Sequence, residues 1–164
     1  MSSETFDTPA RSRLQAFLGG TSPPPPGFRP FADDDVPALA ALMWDAYRGT
    51  PDEADVGDIQ GALRELHLTM DGEYGTFLRE ASFVTAHEGR PVGAALVTLY
   101  QDLPLLAFLF TAPAHAGRGL GRGLVQAVMH ALAEQGHDTL TLAVTRRNRR
   151  ARRLYDRLGF FEVA

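Results

Sequence analysis

Thr111-Ala-Pro-Ala-His-Ala-Gly-Arg-Gly-Leu-Gly-Arg-Gly-Leu-Val125 is the stretch from which the rest of the chain can be read. Glycines stand at 117, 119, 121 and 123, an apolar run from Leu103 to Phe110 precedes them, and a helical pattern comes after. Glycine allows positive φ and lets another molecule approach the backbone closely. Where such a loop opens a helix, unpaired N–H groups and the positive end of the helix dipole face the same point. Pyrophosphate is a natural occupant of that point. Taken alone the pattern also describes an ordinary tight turn, so the flanking segments decide.

Downstream, Leu120, Leu124, Val125, Val128, Ala131 and Leu132 share one face of a helix that runs to about Gln135, and Gly136 suits its C-terminal cap. Thr139 to Thr145 is rich in β-forming residues. After Asn148, the residues Ala151, Leu154, Tyr155 and Leu158 fall on one side of a second helix, which Gly159 stops before a last strand at Phe160 to Val163. Upstream, Ser82 to Glu88, Val92 to Tyr100 and Leu105 to Thr111 read as an antiparallel meander with turns at Glu88-Gly89-Arg90 and Gln101 to Pro104. The unit from Leu105 to Thr145 is therefore strand, helix, strand. A single helical crossover makes its two strands parallel and the connection right-handed. Ligands of open sheets favour the carboxyl ends of parallel strands, which assigns Thr111 to Arg122 to a phosphate-bearing ligand. The helix after Asn148 opens at the same edge.

The N-terminal half reads differently. Residues 1–27 look like a flexible arm ending in Pro23-Pro24-Pro25-Pro26, with Leu14, Phe17 and Leu18 spaced for one short helical turn. Phe28 to Phe31 is a brief strand. Asp33, Asp34 and Asp35 offer caps for a helix carrying Leu39, Leu42, Met43, Ala46 and Tyr47, and a second helix spans about Val56 to Thr69. Gly72-Glu-Tyr-Gly75 is a turn. A chain of 164 residues at 45% hydrophobic content with net charge -4 fits one soluble domain with a true core. The sequence holds no cysteine, which excludes disulfides, cysteine-ligated zinc and a cysteine nucleophile. The histidines lack ligand spacing, so no metal is expected. Neither a signal peptide nor a membrane helix is expected, and the cytoplasm is the expected location.

Two segments resemble the GNAT N-acetyltransferase superfamily. The glycine loop matches its R/Q-x-x-G-x-G/A pattern in part. The run Asn148-Arg-Arg-Ala151-Arg-Arg-Leu154-Tyr155-Asp-Arg-Leu158-Gly159-Phe160 matches N-x-x-A-x-x-L-Y-x-x-L-G-F at every defined position. The resemblance covers residues 28–164. It implies an α/β (α+β) fold: a mixed, mostly antiparallel sheet with one parallel strand-helix-strand unit at the cofactor site and helices on both faces. It also implies acetyl-CoA as cosubstrate. The amides of Gly117, Arg118, Gly119, Leu120, Gly121 and Arg122 would hold the pyrophosphate, with Arg118 and Arg122 adding charge. Leu109, Phe110 and Thr111 would pair with the pantetheine arm, Asn148 would bond it, and Tyr155 would protonate the leaving thiolate as general acid.

The chain departs from the family pattern at three points. Ala116 replaces the usual arginine or glutamine of the loop. Ala143, in Leu142-Ala143-Val144, stands where many members carry a glutamate base, leaving a water chain or one of Asp102, Glu73 and His115 as the base, with Asp102 leading. The chain also ends shortly after Leu158-Gly159-Phe160, so the sheet edge there is open, short, or completed by a partner as in a homodimer. The acceptor is expected to be a small-molecule or peptide amine, because acids concentrate between Asp33 and Glu88. Two rival readings are a non-catalytic acyl-CoA sensor and an acetyltransferase acting on an RNA-linked aminoacyl group. The second draws on seven arginines between Arg146 and Arg157. The net negative charge speaks against nucleic acid, and no membrane partner is expected.

Overall fold

The computed structural model describes residues 10–163. In chain order the elements are β1 (Arg11–Phe17), β2 (Phe28–Pro30), α1 (Val36–Tyr47), α2 (Glu53–Val56), α3 (Ile59–Met70), β3 (Thr76–Phe77) and β4 (Phe83–His87). They continue with β5 (Arg90–Tyr100), β6 (Leu103–Thr111), α4 (Leu120–Glu134), β7 (Thr139–Thr145), α5 (Arg149–Arg157) and β8 (Phe161–Val163). One sheet runs β2-β4-β5-β6-β7-β1-β8, with β3 added against β5. Only β6 and β7 pair in parallel. This is the mixed sheet with one parallel strand-helix-strand unit that the resemblance implies.

Helices cover both faces, and β5 shows why its sequence is almost unbrokenly apolar. Ala94 and Leu96 face a core built with Leu39, Met43, Leu66 and Phe110 of α1, α3 and β6. Ala95 and Val97 face the opposite core, built with Leu124, Val128 and Leu132 of α4. Successive side chains of a strand alternate between faces, so a strand covered on both sides must be apolar throughout. No helix among the described residues is long and apolar enough to cross a membrane.

The N-terminal segment differs from the expected arm and its helical turn. Residues 1–9 lie outside the described residues, but Arg11–Phe17 is a strand within the sheet. It pairs with β7 along its whole length, from Arg11 opposite Thr145 to Phe17 opposite Thr139. Its other edge pairs with β8. The period is two: Ser12, Leu14 and Ala16 are buried while Arg11, Arg13 and Phe17 are exposed. Leu14 and Leu18 are also one helical turn apart, which is what makes the segment ambiguous in sequence. Two waiting strand edges settle the matter, since strand preference is mostly tertiary context. Beyond β7 the sheet is thus continued by the chain's own beginning, with β8 outside it.

Smaller differences have local causes. The second helix begins at Ile59 rather than near Val56 because Gly57 turns at φ +84 and Asp58 caps α3, its Oδ1 accepting from Gly61 N at 2.6 Å. Asp35 precedes α1 without capping it, because its carboxylate accepts two bonds from Arg29, at 2.7 and 2.8 Å, and one from Ala32 N.

Candidate active site between splayed strands

The parallel pair holds together for very little of its length. Leu105 opposite Thr141 is its one register position, and Thr141 Oγ1 donates to Pro104 O at 2.9 Å beside it. In the pairing of β5 with β6, Leu96 faces Phe108 and Val97 faces Leu106, so Ala107 is an extra residue. A bulge bends its strand and often adjoins a functional site. Beyond it β6 keeps its partner on the β5 side only. The gap toward β7 is a cavity of about 160 Å³, lined by residues of β6 and β7 together with Arg11, Tyr47, Asp52, Asp55, Asn148, Ala151 and Tyr155.

The glycine loop closes the carboxyl end of β6. Gly117 and Gly119 have φ +77 and +76, a region that disfavours any Cβ, and Gly119 is the N-terminal cap of α4. A Cβ built at either would meet nothing within 4 Å, so these glycines serve conformation and leave the space before them open. The first-turn amides of α4 have no intrahelical acceptor and no side-chain cap. Arg118 and Arg122 are exposed beside them, and Arg118 Nη1 lies 3.2 Å from His115 Nδ1. Gly123 meets a spatial limit instead, because a Cβ there would stand inside the ring of Phe28.

Asn148 caps α5, its Oδ1 accepting from Ala151 N at 3.1 Å. Its amide NH₂ has no hydrogen-bond partner among the described residues, and Asn148 lines the cavity. Further along the helix, Tyr155 is 7% exposed, stands edge-on to Phe160 with ring centroids 5.4 Å apart, and lines the same cavity. Its hydroxyl makes no hydrogen bond to another described residue. Burial, and after it the charge of Asp52, raises the phenol pKa above its ordinary value, so the group keeps its proton at neutral pH. Tyr47 of α1 is raised in the same way, by burial first and then by Tyr155, Asp52 and Asp55, with Arg11 opposing.

The site residues expected from sequence fall into two groups. Leu109, Asn148 and Tyr155 line the cavity, with Phe110 and Thr111 continuing the same strand into the glycine loop. Asp102 and Glu73 do not line it. Asp102, at φ 64, follows Gln101 at φ 50 in the two-residue β5–β6 turn, a role that suits a short polar side chain. That turn lies at the opposite end of β6 from the loop. Glu73 is exposed in the turn after α3. His115 lies outside the cavity too, its ring 5.0 Å from that of His87.

Two carboxylates line the cavity instead. Asp52 Oδ1 accepts from Thr145 Oγ1 at 2.6 Å, and Asp55 pairs with Arg11 of β1. Their place in the cavity was legible only as part of an acidic tract, because the turn between α1 and α2 carries no motif. Two of the seven clustered arginines serve the fold. Arg146 Nε and Arg152 Nη1 donate to the buried Ser12 Oγ at 3.2 and 2.9 Å and so tie β1 to α5.

With this geometry in place, known proteins give a consistent answer. The model of the acetyltransferase (GNAT) family matches residues 37–160. An uncharacterized N-acetyltransferase of Mycobacterium tuberculosis is 34% identical over 89 residues, 54% of this chain and 57% of that protein. A mycothiol acetyltransferase of Acidimicrobium ferrooxidans is 32% identical over 144 residues, 84% of this chain but 43% of that protein. The chain thus spans about half the length of these relatives. The crystal structure of an aminoglycoside N-acetyltransferase in complex with CoA superposes with a TM-score of 0.64 at 16% identity, covering 84% of this chain and 88% of that one. At such identity the likeness is one of fold. From the family match, the sheet and the Asn148-to-Phe160 segment together, the chain belongs to the acetyltransferase (GNAT) family.

Proposed function

We propose that this domain moves an acetyl group from acetyl-CoA directly to a primary amine. The observation that carries the reading is Tyr155: a buried phenol, without a protein partner among the described residues, at the cavity between the splayed strands. The chain's features fit the cosubstrate. The glycine loop offers amides before open space, with two exposed arginines beside it for phosphate charge. On the side facing β7, the backbone beyond Leu105 has no strand partner, so Leu109 to Thr111 can pair with an extended arm. Asn148 has an amide to donate while its oxygen caps the helix. When bound, acetyl-CoA supplies an activated acyl group as a thioester. Direct attack by the amine requires no enzyme nucleophile.

Tyr155 serves as the proton donor to the departing sulfur. A phenol of raised pKa does not ionise beforehand, and transfer is driven by the thiolate as it forms. Ala116 in the loop shifts pyrophosphate binding onto backbone amides, Arg118 and Arg122. Tyr155→Phe keeps the ring against Phe160 and removes only the hydroxyl. Turnover should fall by about 100-fold or more, the ordinary range for losing a general acid. Calorimetric affinity for acetyl-CoA should stay within about twofold, because only the transition state uses the proton. Wild-type turnover in this variant would remove Tyr155 from the chemistry.

A further inference from the structure

We infer that Asp52 is the carboxylate that receives the acceptor's ammonium group and takes its proton, and that Thr145 holds it in position. The inference rests on the acetyl-transfer reading of the cavity and adds the residue that makes the amine reactive. Two carboxylates line the cavity, and they are not equivalent. Asp55 is paired with Arg11, so its charge is already met. The Asp52 side chain has one partner among the described residues, the Thr145 hydroxyl at 2.6 Å. That bond fixes one oxygen and leaves the other lone pairs to a ligand. It also spans the site, since Asp52 comes from the acceptor-side helices and Thr145 ends β7, three residues before Asn148. The same cavity is lined by Tyr155, a buried residue whose hydroxyl has no hydrogen-bond partner among the described residues. The charged and titratable groups that line the cavity with Asp52 are Arg11 from β1, Tyr47 from α1, Asp55 from α2 and Tyr155 from α5, and Glu53 is its exposed chain neighbour. Arg11 cancels Asp55, which leaves the cavity with one net negative charge for a cation to meet. The acceptor class is therefore an aliphatic primary amine that arrives protonated.

The protons balance. Asp52 takes one proton from the ammonium, and the freed nitrogen lone pair forms the bond to the acyl carbon. As the carbon–sulfur bond breaks with its electron pair on sulfur, Tyr155 gives sulfur a proton and regains one from the acylated nitrogen. Asp52 then loses its proton to solvent. The sum is one amide, one thiol and one released proton for each ammonium consumed.

The test uses the full chain with 1,5-diaminopentane, glucosamine and a lysine-containing peptide as acceptors. Asp52→Asn is near-isosteric and still accepts the Thr145 hydrogen bond, so the fold and acetyl-CoA affinity should persist. For the best wild-type acceptor, kcat/KM at pH 7 should fall by about 100-fold or more. It should then climb about tenfold per pH unit toward pH 9 as solution supplies the neutral amine, whereas the wild-type profile flattens. Calorimetric binding of that amine to the CoA-loaded variant should weaken as well. Thr145→Val is the second arm: it leaves Asp52 charged but without its donor. The expected result is a loss of about tenfold in kcat with acetyl-CoA affinity unchanged, and Thr145→Ser should restore the rate. Asp52→Asn with wild-type rates and pH profile overturns the inference while leaving acetyl transfer intact. A raised KM with unchanged kcat and unchanged profile overturns the proton transfer. A wild-type enzyme that acetylates none of the acceptors overturns both readings.

Discussion

Asn148 does two things with one side chain, and the two can be separated. Its oxygen caps α5 by accepting from Ala151 N at 3.1 Å, while its amide has no partner among the described residues at a position that lines the cavity. Asn148→Ala removes both functions. Asn148→Asp keeps the acceptor, and a carboxylate is as good an N-cap as an amide and is further favoured by the helix dipole. The arginines at 149, 150, 152 and 153 within the same helix add to that preference. The alanine variant should therefore lose about 1 kcal/mol of stability, the usual cost of a lost cap, and the aspartate variant almost none. For a domain of this size, about 1 kcal/mol lowers Tm by roughly 2–4 °C, well within the reach of a thermal melt.

Affinity for CoA should take a different order. Both variants lose the donor to the pantetheine arm, worth about 0.5–1.5 kcal/mol, or roughly threefold to tenfold in Kd. Aspartate also sets a negative charge opposite a carbonyl acceptor, so its loss should reach about tenfold or more. Stability should then rank Asn and Asp together above Ala, and CoA affinity should rank Asn above Ala above Asp. Calorimetry on the three proteins measures the second order. Equal CoA affinity for Asn148 and Asn148→Asp would refute the proposed bond and leave the residue as a helix cap alone.

Two further expectations concern the scaffold. Gly123→Ala places a methyl where the Phe28 ring stands, an overpacking that should cost about 1–3 kcal/mol. The Gly123→Ala, Phe28→Leu double variant should recover part of that loss, and a single variant melting like the wild type would show the ring free to move. Asp35 is held below the usual carboxylate range by its hydrogen bonds to Arg29 first and Ala32 N next, against the cost of burial. With the folded pKa depressed, the contribution is present above the unfolded value of about 3.9 and lost as pH falls through the folded pKa. Asp35→Asn should thus cost about 1 kcal/mol at neutral pH, discounted because Arg29 is half-exposed, and should flatten acid unfolding below about pH 4. An unchanged acid limb in chemical denaturation would contradict it.

The legible parts of this chain are those where a local pattern has one solution. The glycine loop, the α4 stripe, β7 and the Asn148-to-Phe160 segment each carry periodicity plus a cap or stop, and all form where the pattern puts them. β1 was illegible because Leu14 and Leu18 fit both periods, with Phe17 in a helix and with Ala16 in a strand, and the choice is made by the edges of β7 and β8, more than 100 residues away. The carboxylates lining the cavity were hidden for a related reason. Asp52 just precedes the one-turn helix α2 and Asp55 lies within it, positions where acids are ordinarily solvated, and the approach of Thr145 and Arg11 sets them apart from their neighbour Glu53. Asp102 shows the converse. A carboxylate beside an apolar strand looks chemical in sequence, yet the backbone wants a residue tolerant of positive φ at that turn.

β1 also bears on how the two ends of the site are joined. Arg11 reaches α2 by pairing with Asp55, and Ser12, its neighbour, receives Arg146 and Arg152 from the segment around Asn148. Successive residues of a strand point to opposite faces, so one strand contacts both α2 and the helix carrying Tyr155. Asp52 with Thr145 makes a second link across the same gap. The cavity is therefore braced at two points between elements far apart in sequence, where the parallel strands themselves pair at a single register position. A sheet split open to admit an extended ligand loses the ladder that would hold its halves together. The Arg11–Asp55 pair and the Thr145–Asp52 bond across the split replace part of that ladder, and the bonds of Arg146 and Arg152 to Ser12 hold β1 to the segment after β7. On this reasoning two arginines of the C-terminal cluster are committed to the fold, which weakens the case for reading the cluster as a surface for nucleic acid.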